Sequence, residues 1–299
     1  MSKAKPKIIS IVGPTASGKS DLAVRLAAEF KGEVISADSR QVYKGLDIGS
    51  GKITAKEMMG ISHHLLSVIH PKKVFTVADF KKLSDEKILD IIDRAKVPIL
   101  CGGTGFYIDA VTKNTILPAV PPNPELRKKL QNFTLEKLKK ELLKLDPNRY
   151  KAIDLNNKVR IIRSIEIAKE LGEVPKIKTK PLYDVLTIGI LWDPENLKER
   201  IALRLQKRLK AGMVNEVKKL HSNGISWKRL ESLGLEYRYV ALFLQNKITK
   251  AEMIEKLQFE IWHYAKRQMT WFQKDKNIVW VGVKEIKKIK EKVKGFLTR

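Results

Sequence analysis

The glycine-rich loop Gly13-Pro14-Thr15-Ala16-Ser17-Gly18-Lys19-Ser20 shows the clearest chemistry in this sequence. It matches the P-loop pattern and lies between a predicted strand and a predicted helix. Glycines let successive backbone amides turn inward, and the helix N-terminus adds a partial positive charge. Lys19 would supply a point charge to the terminal phosphate, and the Ser20 hydroxyl would bind Mg²⁺. The loop therefore predicts a phosphate or diphosphate ligand.

The P-loop alone does not identify the phosphorylated molecule. ATPases add a strand that ends in a carboxylate, which helps to hold Mg²⁺. Here the corresponding strand, Val97–Leu100, runs into Cys101-Gly-Gly-Thr-Gly105 with no acid. The nearest acids lie in Ile88–Asp93, which the sequence predicts to be helical. Ordinary ATP hydrolysis is therefore not favoured.

An acidic residue, Asp38, follows the second predicted strand within Glu33–Tyr43. Open α/β sheets bind their ligands at the carboxyl ends of parallel strands, so Asp38 is expected near the P-loop. A carboxylate in that position could act as a general base. An Asp after a strand is also a common helix cap or turn former, and this alternative stays open.

These residues need a sheet to position them, and the pattern predicts one. Short β-branched runs alternate with helical stretches, as in a doubly wound α/β domain. The predicted strands of this part are Lys7–Gly13, Glu33–Asp38, His64–Ile69 and Val97–Gly103, and helices are predicted at Ser20–Phe30 and Val77–Arg94.

A change in composition marks a domain boundary at Leu117–Pro124, where four of eight residues are proline. From Pro124 to Lys180 the chain is basic and reads as helical, with no strand-like run. A strong strand, Val185–Trp192, then returns. We therefore predict an α/β fold with a P-loop-type parallel sheet core and a helical insertion domain. The predicted segments are 1–118 (core, first part), 119–183 (helical, basic insertion) and 184–299 (core, second part, with basic helices).

The last segment is expected to consist mostly of long basic helices. Helices are predicted at Glu195–Leu220 and Lys250–Phe272, with a final strand at Asn277–Val283. The lysine-rich stretch Lys284–Lys294 is predicted to be a solvated amphipathic helix.

The composition points to a polyanionic partner. Lys and Arg number 59 against 33 acids, a net charge of +26, which favours nucleic-acid binding, although a lysine-rich composition can also reflect a low-GC or thermophilic genome. The single cysteine, Cys101, excludes an internal disulfide and gives no zinc pattern. No apolar run is long enough to cross a bilayer, and the N-terminus lacks the features of a signal peptide. A cytoplasmic protein with no membrane partner is expected.

Several motifs, taken in order, resemble one family closely over almost the whole chain. They are Gly13–Ser20, Ile35–Gly45 with Asp47–Gly49, His63–Leu65, Phe75–Phe80, Gly102–Gly105, Val159–Arg163 and Tyr264–Phe272. In this order and spacing they resemble the tRNA dimethylallyltransferases. The resemblance implies transfer of a dimethylallyl group from dimethylallyl diphosphate to N6 of adenosine 37, beside the anticodon, in tRNAs that read codons beginning with U. It implies Mg²⁺ as cofactor, the tRNA anticodon stem-loop as partner and tRNA binding by the insertion 119–183, and a monomer is expected.

The resemblance also implies roles at matching positions. Asp38 resembles the base near the adenine N6, and Thr104 the second group that touches the adenine. Gly13–Ser20, with Lys19, resembles the cradle for the donor diphosphate, and Arg204 resembles an arginine that grips it. The residues that resemble tRNA contacts are Asp38, Ser39, Arg40, Gln41, Thr104, Arg127, Arg160 and Arg163. Ser20 stands where Thr is frequent, and Leu233–Arg238 departs from the family pattern, so it is given no role.

Other residues keep open interpretations. Arg200 and Arg208 share a helix face with Arg204, and a solvated face or RNA backbone contacts are favoured for both. Arg267 could face tRNA or the active site. Core packing is favoured over base stacking for the aromatic residues Trp262, Tyr264, Trp271 and Phe272. His63 and His64 lack a third metal ligand, so no metal site is expected there.

Three hypotheses follow: a prenyltransferase that acts on tRNA, a P-loop kinase of a small metabolite, and an RNA-binding P-loop protein without catalysis. The large basic insertion argues against the kinase, because a small acceptor needs no such surface.

Overall fold

The main sheet of the fold has six parallel strands. The computed structural model describes residues 5–282 and 285–299. The strands in these ranges are β1 (Lys7–Val12), β2 (Gly32–Ser36), β3 (His63–His64), β4 (Val97–Gly102), β5 (Thr115–Ile116), β6 (Lys178–Thr179), β7 (Asp184–Leu191) and β8 (Val279–Gly282). The parallel sheet has the order β3-β2-β4-β1-β7-β8. The predicted α/β class with a parallel core is confirmed.

Helices join the strands and cover both faces of the sheet, as parallel neighbours require. The helices of the described ranges are α1 (Lys19–Glu29), α2 (Ala55–Met58), α3 (Val77–Asp93), α4 (Gly105–Thr112), α5 (Pro124–Gln131), α6 (Leu135–Leu145), α7 (Pro147–Ala152), α8 (Lys158–Leu171), α9 (Pro194–Lys210), α10 (Met213–Ser222), α11 (Trp227–Ser232), α12 (Leu235–Leu244), α13 (Lys250–Phe272) and α14 (Ile286–Thr298).

Side chains alternate between the two faces along β1, as the period of a strand requires. Ile8 and Val12 pack with α3 and α4, whereas Ile9 and Ile11 pack with α1 and α14. A third apolar cluster joins helices α9 to α13 around fully buried side chains such as Tyr237. Because the strands are parallel, β1, β2, β4 and β7 all end at the same edge, where the site residues follow them.

Two predicted elements differ from the structure. The strand predicted at His64–Ile69 is wrong: only His63–His64 pairs with β2, and Ile69 makes an isolated bridge to Tyr43. The helix predicted at Glu195–Leu220 is also wrong as one element. It breaks between α9 and α10 at Gly212, whose φ of 98° is a left-handed conformation that favours glycine.

The structure contains the three elements that the sequence predicts at the C-terminus. The helix predicted at Lys250–Phe272 is confirmed with those bounds. The last predicted strand is present as β8, and the predicted amphipathic helix as α14. Val283, the last residue of the predicted strand, and Lys284, the first residue of the predicted helix, lie outside the described residues.

By internal contacts the chain forms two compact units: a larger unit, Met1–Asn114 with Pro181–Arg299, and a smaller unit, Thr115–Lys180. The smaller unit packs α5, α6 and α8 around the buried side chains of Leu130, Leu138, Leu142, Ile161 and Ile165. It also contains the short antiparallel pair β5–β6, so the expectation of no strand between Pro124 and Lys180 is wrong. The assignment of residues 119–183 to tRNA binding stays a prediction. Within the described ranges, no helix is long and apolar enough to span a membrane.

Candidate active site

A pocket of the larger unit opens where β1, β2 and β4 end. Its lining includes Lys19, Asp38, Cys101, Gly103, Arg204, Arg208, Tyr264 and Gln268. It thus brings three residues predicted to be catalytic, Lys19, Asp38 and Arg204, into one cavity. The fourth, Thr104, follows Gly103 directly and contacts the loop after Asp38, as described below.

The glycine loop curls between β1 and α1. A Cβ at Gly13 would lie 3.2 Å from the Ile190 carbonyl oxygen, and Gly18 has a φ of 89°, so both positions need glycine. The ammonium of Lys19 donates to the Pro14 carbonyl at 2.5 Å. Burial, with a smaller contribution from the nearby guanidinium of Arg204, lowers the pKa of Lys19 to about 8, and the negative charge of the Asp38 carboxylate opposes this shift. Lys19 is therefore a cation held without a carboxylate bonded to it, as an anion site requires.

Two side chains hold the outer side of this loop. The indole N–H of Trp192 donates to the Ser17 carbonyl at 2.8 Å, and Nε of Arg200 donates to the Ala16 carbonyl at 3.0 Å. The guanidinium of Arg200 lies 4.2 Å from the centre of the Trp192 ring. Arg200 is therefore a support of the loop and is not simply part of a solvated face.

Asp38 is fixed through one carboxylate oxygen. Its Oδ1 accepts from the backbone amides of Arg40 at 2.7 Å and Gln41 at 3.2 Å, which is the turn-forming role that the sequence also allowed. In the described part of the chain, no protein group donates to Oδ2. Turn formation therefore uses Oδ1 and leaves Oδ2 for a proton, so the two interpretations of Asp38 are compatible.

The loops after β2 and β4 are tied together. The hydroxyl of Thr104 accepts from the Ser39 amide at 3.1 Å, and the Thr104 amide donates to the Ala37 carbonyl at 3.2 Å. A Cβ at Gly102 would collide with the Ala37 carbonyl, so glycine permits this approach. Thr104 and Asp38 are therefore neighbours, as expected from the ends of adjacent strands.

Helix α13 contributes Tyr264 and Gln268, four residues apart on one helix face. Gln268 accepts from the Thr15 amide at 2.7 Å and donates to the Gly103 carbonyl at 2.8 Å. Burial raises the pKa of Tyr264, whose hydroxyl lies beside Thr104. Core packing is confirmed for Phe272 but is wrong for Tyr264, which lines the pocket. The motif Tyr264–Phe272 was the only sequence signal for this pair.

Helix α9 contributes two arginines. Arg208 donates to Glu236 at 2.8 Å and to the Gly49 carbonyl at 3.2 Å, and its side chain is 14% exposed, so a solvated face is wrong for Arg208. Arg204 bonds to no acceptor among the described residues. Its side chain still meets solvent, but the surrounding protein removes part of its water shell. This desolvation, with Arg208 next, lowers the pKa of Arg204 to about 10. The pocket wall thus has one arginine, Arg208, that pairs with a carboxylate and another, Arg204, that does not pair with one among the described residues.

The pocket segment around Gly49 has a support that the sequence did not reveal. The carboxylate of Glu216 accepts from the amides of Asp47, Ile48 and Gly49 at 2.6–3.0 Å. The Tyr237 hydroxyl donates to Glu216 at 2.9 Å. Glu236 and Tyr237, in the segment that received no role, therefore support pocket residues: Glu236 pairs with Arg208, and the Tyr237 hydroxyl accepts from the Ser50 amide.

The remaining predicted tRNA contacts occupy different settings. Nε of Arg40 donates to the Leu233 carbonyl, and Gln41 donates to the Gly51 carbonyl at 3.3 Å. In the smaller unit, Arg127 and Arg163 both pair with Glu166. Arg160 is exposed on α8. Their contacts with tRNA stay predictions.

His63 and His64 have protein partners. Nδ1 of His63 bonds to the Ile61 carbonyl at 2.8 Å, and His64 contacts Glu33 at 2.7 Å. Burial lowers the pKa of His63. Among residues 5–282 and 285–299, no cluster of three or more His, Cys, Asp or Glu could hold a metal ion. Ser20 and Asp38 do offer oxygen donors to the pocket.

Comparison with known proteins gives consistent results. The family model described as IPP transferase matches residues 41–275. A protein of Syntrophus aciditrophicus (strain SB) named tRNA dimethylallyltransferase 1 is 43% identical over 302 residues, which covers 97% of this chain and 98% of that protein. The crystal structure of the tRNA isopentenylpyrophosphate transferase of Bacillus halodurans has a TM-score of 0.76 and 36% identity, and covers 98% of this chain and 97% of that one. A eukaryotic dimethylallyltransferase acting on tRNA has a TM-score of 0.80 and 26% identity, and covers 94% of this chain and 75% of that one. Since the family model spans most of the sequence and the similarity extends over nearly the whole chain, this protein belongs to the IPP transferase family, the tRNA dimethylallyltransferases.

Proposed function

We propose that this enzyme transfers a dimethylallyl group from dimethylallyl diphosphate to N6 of adenosine 37, next to the anticodon, and releases diphosphate. The proposed acceptors are tRNAs that read codons beginning with U. One observation carries the proposal: a P-loop whose neighbouring strand β4 ends without a carboxylate shares its pocket with Asp38, whose Oδ2 accepts no hydrogen bond from the described residues.

The reaction breaks the bond between the allylic carbon and the diphosphate oxygen. Negative charge then develops on the leaving diphosphate, and cations placed in advance stabilise it. Lys19, Arg204 and the backbone amides at the N-terminus of α1 would supply that stabilisation, because Lys19, Arg204 and Ser20 line the pocket and no carboxylate bonds to either cation.

A new bond forms between N6 and the allylic carbon, and N6 must lose one proton. Asp38 would accept that proton through Oδ2 while Oδ1 stays bonded to the amides of Arg40 and Gln41. A positioned general base contributes roughly 10²–10⁴-fold. Thr104, whose hydroxyl accepts from the Ser39 amide, would contact the same adenine.

The residues present are compatible with Mg²⁺. This ion binds proteins through few side-chain oxygens and completes its shell with phosphate oxygens and water. Ser20, which lies in the first turn of α1 and lines the pocket, would be its protein ligand. Bound there, the ion would supply additional positive charge to the leaving diphosphate.

The net charge of +26 supports the anticodon stem-loop of tRNA as acceptor, because phosphate contacts dominate nucleic-acid affinity. An adenine in a single-stranded loop leaves its stack at a cost of only about a few kcal/mol. Ser39, Arg40, Gln41, Arg127, Arg160 and Arg163 are the proposed contacts with tRNA. We propose further that the protein acts as a monomer in the cytoplasm.

The direct test is mass spectrometry of tRNA nucleosides after incubation with dimethylallyl diphosphate, Mg²⁺ and unmodified tRNA. N6-dimethylallyladenosine should form next to the anticodon with the wild-type protein. Asp38→Asn should reduce its formation by about 10²-fold or more while tRNA still binds. Phosphoryl transfer from labelled ATP to a nucleoside, without tRNA alkylation, would instead support a kinase. Alkylation by Asp38→Asn at the wild-type rate would show that Asp38 is not the base.

A further inference from the structure

The side chain of Gln268 connects the P-loop, which is proposed to bind the prenyl donor, with the loop after β4, which is proposed to contact the acceptor adenine. Its amide oxygen accepts from the Thr15 amide in the P-loop at 2.7 Å. Its amide nitrogen donates at 2.8 Å to the carbonyl of Gly103, the residue before Thr104. One rigid planar group therefore spans the donor loop after β1 and the acceptor loop after β4.

This bridge lies inside the protein. Gln268 is 6% exposed, although it stands on a long helix whose neighbouring residues Lys266 and Arg267 are exposed. A buried amide is retained at low energy only when its polar atoms are bonded, as they are here. A Cβ at Gly103 would collide with the Gln268 amide, so glycine at that position leaves room for the bridge.

The Thr15 amide that Gln268 occupies is not free to bind phosphate. The amides close to the N-terminus of α1 remain for the leaving group, where the helix dipole also acts. Gln268 thus has its two hydrogen bonds to backbone and none to a position where a reacting atom would lie. Its effect on the reaction must be exerted through the loops that it holds.

We propose that Gln268 is a positioning residue that sets the distance between the diphosphate cradle and the adenine site, so that N6 meets the allylic carbon in line with its leaving group. This inference rests on the proposed prenyl transfer. Alkylation requires the two reacting atoms to approach to about 3–3.5 Å, and a misplacement of about 1 Å lowers a rate roughly 10²-fold.

The test compares two substitutions at this position with a matched control. Gln268→Met keeps the length of the side chain but removes both hydrogen bonds. Gln245→Met is the control, because Gln245 also donates through its amide, to Glu231 at 2.9 Å and to the Ala241 carbonyl at 3.0 Å, outside the pocket. In single-turnover alkylation with both substrates saturating, we expect Gln268→Met to be roughly 10²-fold slower than wild type. The dissociation constants for donor and tRNA should change less than about threefold, since the direct contacts remain.

Gln268→Glu supplies a readout that a purely structural role would not give. A protonated carboxyl can accept from the Thr15 amide and donate to the Gly103 carbonyl, whereas a carboxylate opposes that carbonyl. The rate of this variant relative to wild type should therefore rise as the pH falls from about 8 to about 6, because burial favours the protonated acid.

The outcomes are distinct. Absence of alkylation by the wild-type protein would reject the proposed function itself. An active wild type with Gln268→Met within about threefold of its rate would overturn the positioning role. Equal pH profiles for Gln268→Glu and wild type, or melting of both variants below the assay temperature, would also overturn it and assign the bridge to folding alone.

Discussion

Two buried glutamates, Glu166 and Glu236, each lie among arginines, and the two clusters differ in how much positive charge they leave free. Glu166, in the smaller unit, accepts from Arg127 at 2.7 and 2.9 Å, from the Asn123 amide at 2.6 Å, and from Arg163. Burial alone would raise its pKa, but these donors outweigh burial and hold the pKa at about 2. Its two arginines are committed to one carboxylate.

Glu236, in the larger unit, has a different balance. Its carboxylate accepts from Arg208, and burial raises its pKa. Arg204, one helical turn from Arg208, has no acceptor among the described residues, and Lys19 lines the same pocket. The cations here exceed the carboxylates that bond to them.

This difference separates two uses of arginine. The cluster around Glu166 satisfies its own hydrogen bonds and therefore stabilises the smaller unit. The cluster around Glu236 keeps positive charge available, which is the condition for binding a diphosphate. The family resemblance assigned Arg127, Arg163 and Arg204 alike to substrate, but of these three only Arg204 has a guanidinium without an acceptor among the described residues.

The largest expected effect comes from removing the free cation. Arg204→Gln should lower kcat/KM for dimethylallyl diphosphate by about 10²- to 10³-fold, because the leaving group loses a preorganised charge. Its Tm should not fall, since Arg204 forms no ion pair with the described residues. Steady-state kinetics and calorimetry measure the two quantities.

Arg163→Gln is the matched control from the other cluster. It should lower the Tm and leave the alkylation rate at saturating tRNA unchanged. If instead Arg204→Gln destabilises the protein and keeps its rate, the two clusters do not differ in the way proposed.

The second effect concerns stability. Glu166→Gln should destabilise the smaller unit by about 3 kcal/mol, because it leaves two arginines around a neutral side chain. This value is at the lower end for a broken buried pair, since the arginine side chains are 35% and 32% exposed. Faster hydrogen exchange in α8, with α1 unchanged, would locate the loss. Unchanged exchange in α8 would contradict it.

A third effect is the pH dependence of that stabilisation. The folded pKa of Glu166, about 2, lies below its ordinary value of 4.5, so its contribution is present above about pH 4.5 and is lost as the pH falls toward 2. The free energies of unfolding of wild type and Glu166→Gln should therefore converge as the pH falls through that window. Urea unfolding at several pH values measures this, and a constant difference down to pH 2 would exclude it.

The sequence predicts those site residues whose proximity follows from the order of strands along the chain. The P-loop, Asp38 and Thr104 each follow a strand, and parallel strands end at one edge, so their proximity follows from the order of the elements along the chain. The break at Gly212 also had a visible signal, a glycine inside a helical run.

The remaining contacts depend on how helices are rotated against the sheet. Tyr264 and Gln268 are four residues apart, as are many pairs on one face of a helix. Periodicity does not show that this face contacts the P-loop and the loop after β4. Arg208 and Glu236 lie on α9 and α12, so their pairing requires the packing of two helices. Nothing in the charge pattern alone distinguishes Arg204 from Arg208.

The smallest effect tests whether Glu236 limits the free charge of the pocket. Glu236→Gln keeps an oxygen that can accept from Arg208 but removes one negative charge near Arg204. The pocket would then hold Arg204 and Arg208 with no carboxylate paired to Arg208. Because pocket solvent screens such interactions, we expect the affinity for diphosphate with Mg²⁺ to increase only about two- to fivefold. Isothermal titration calorimetry measures it, with Glu231→Gln as control, since Glu231 pairs with Lys247 at 3.6 Å away from the pocket. A weaker affinity would mean that the charge of Glu236 is needed to orient Arg208, and the cluster would then resemble the one around Glu166.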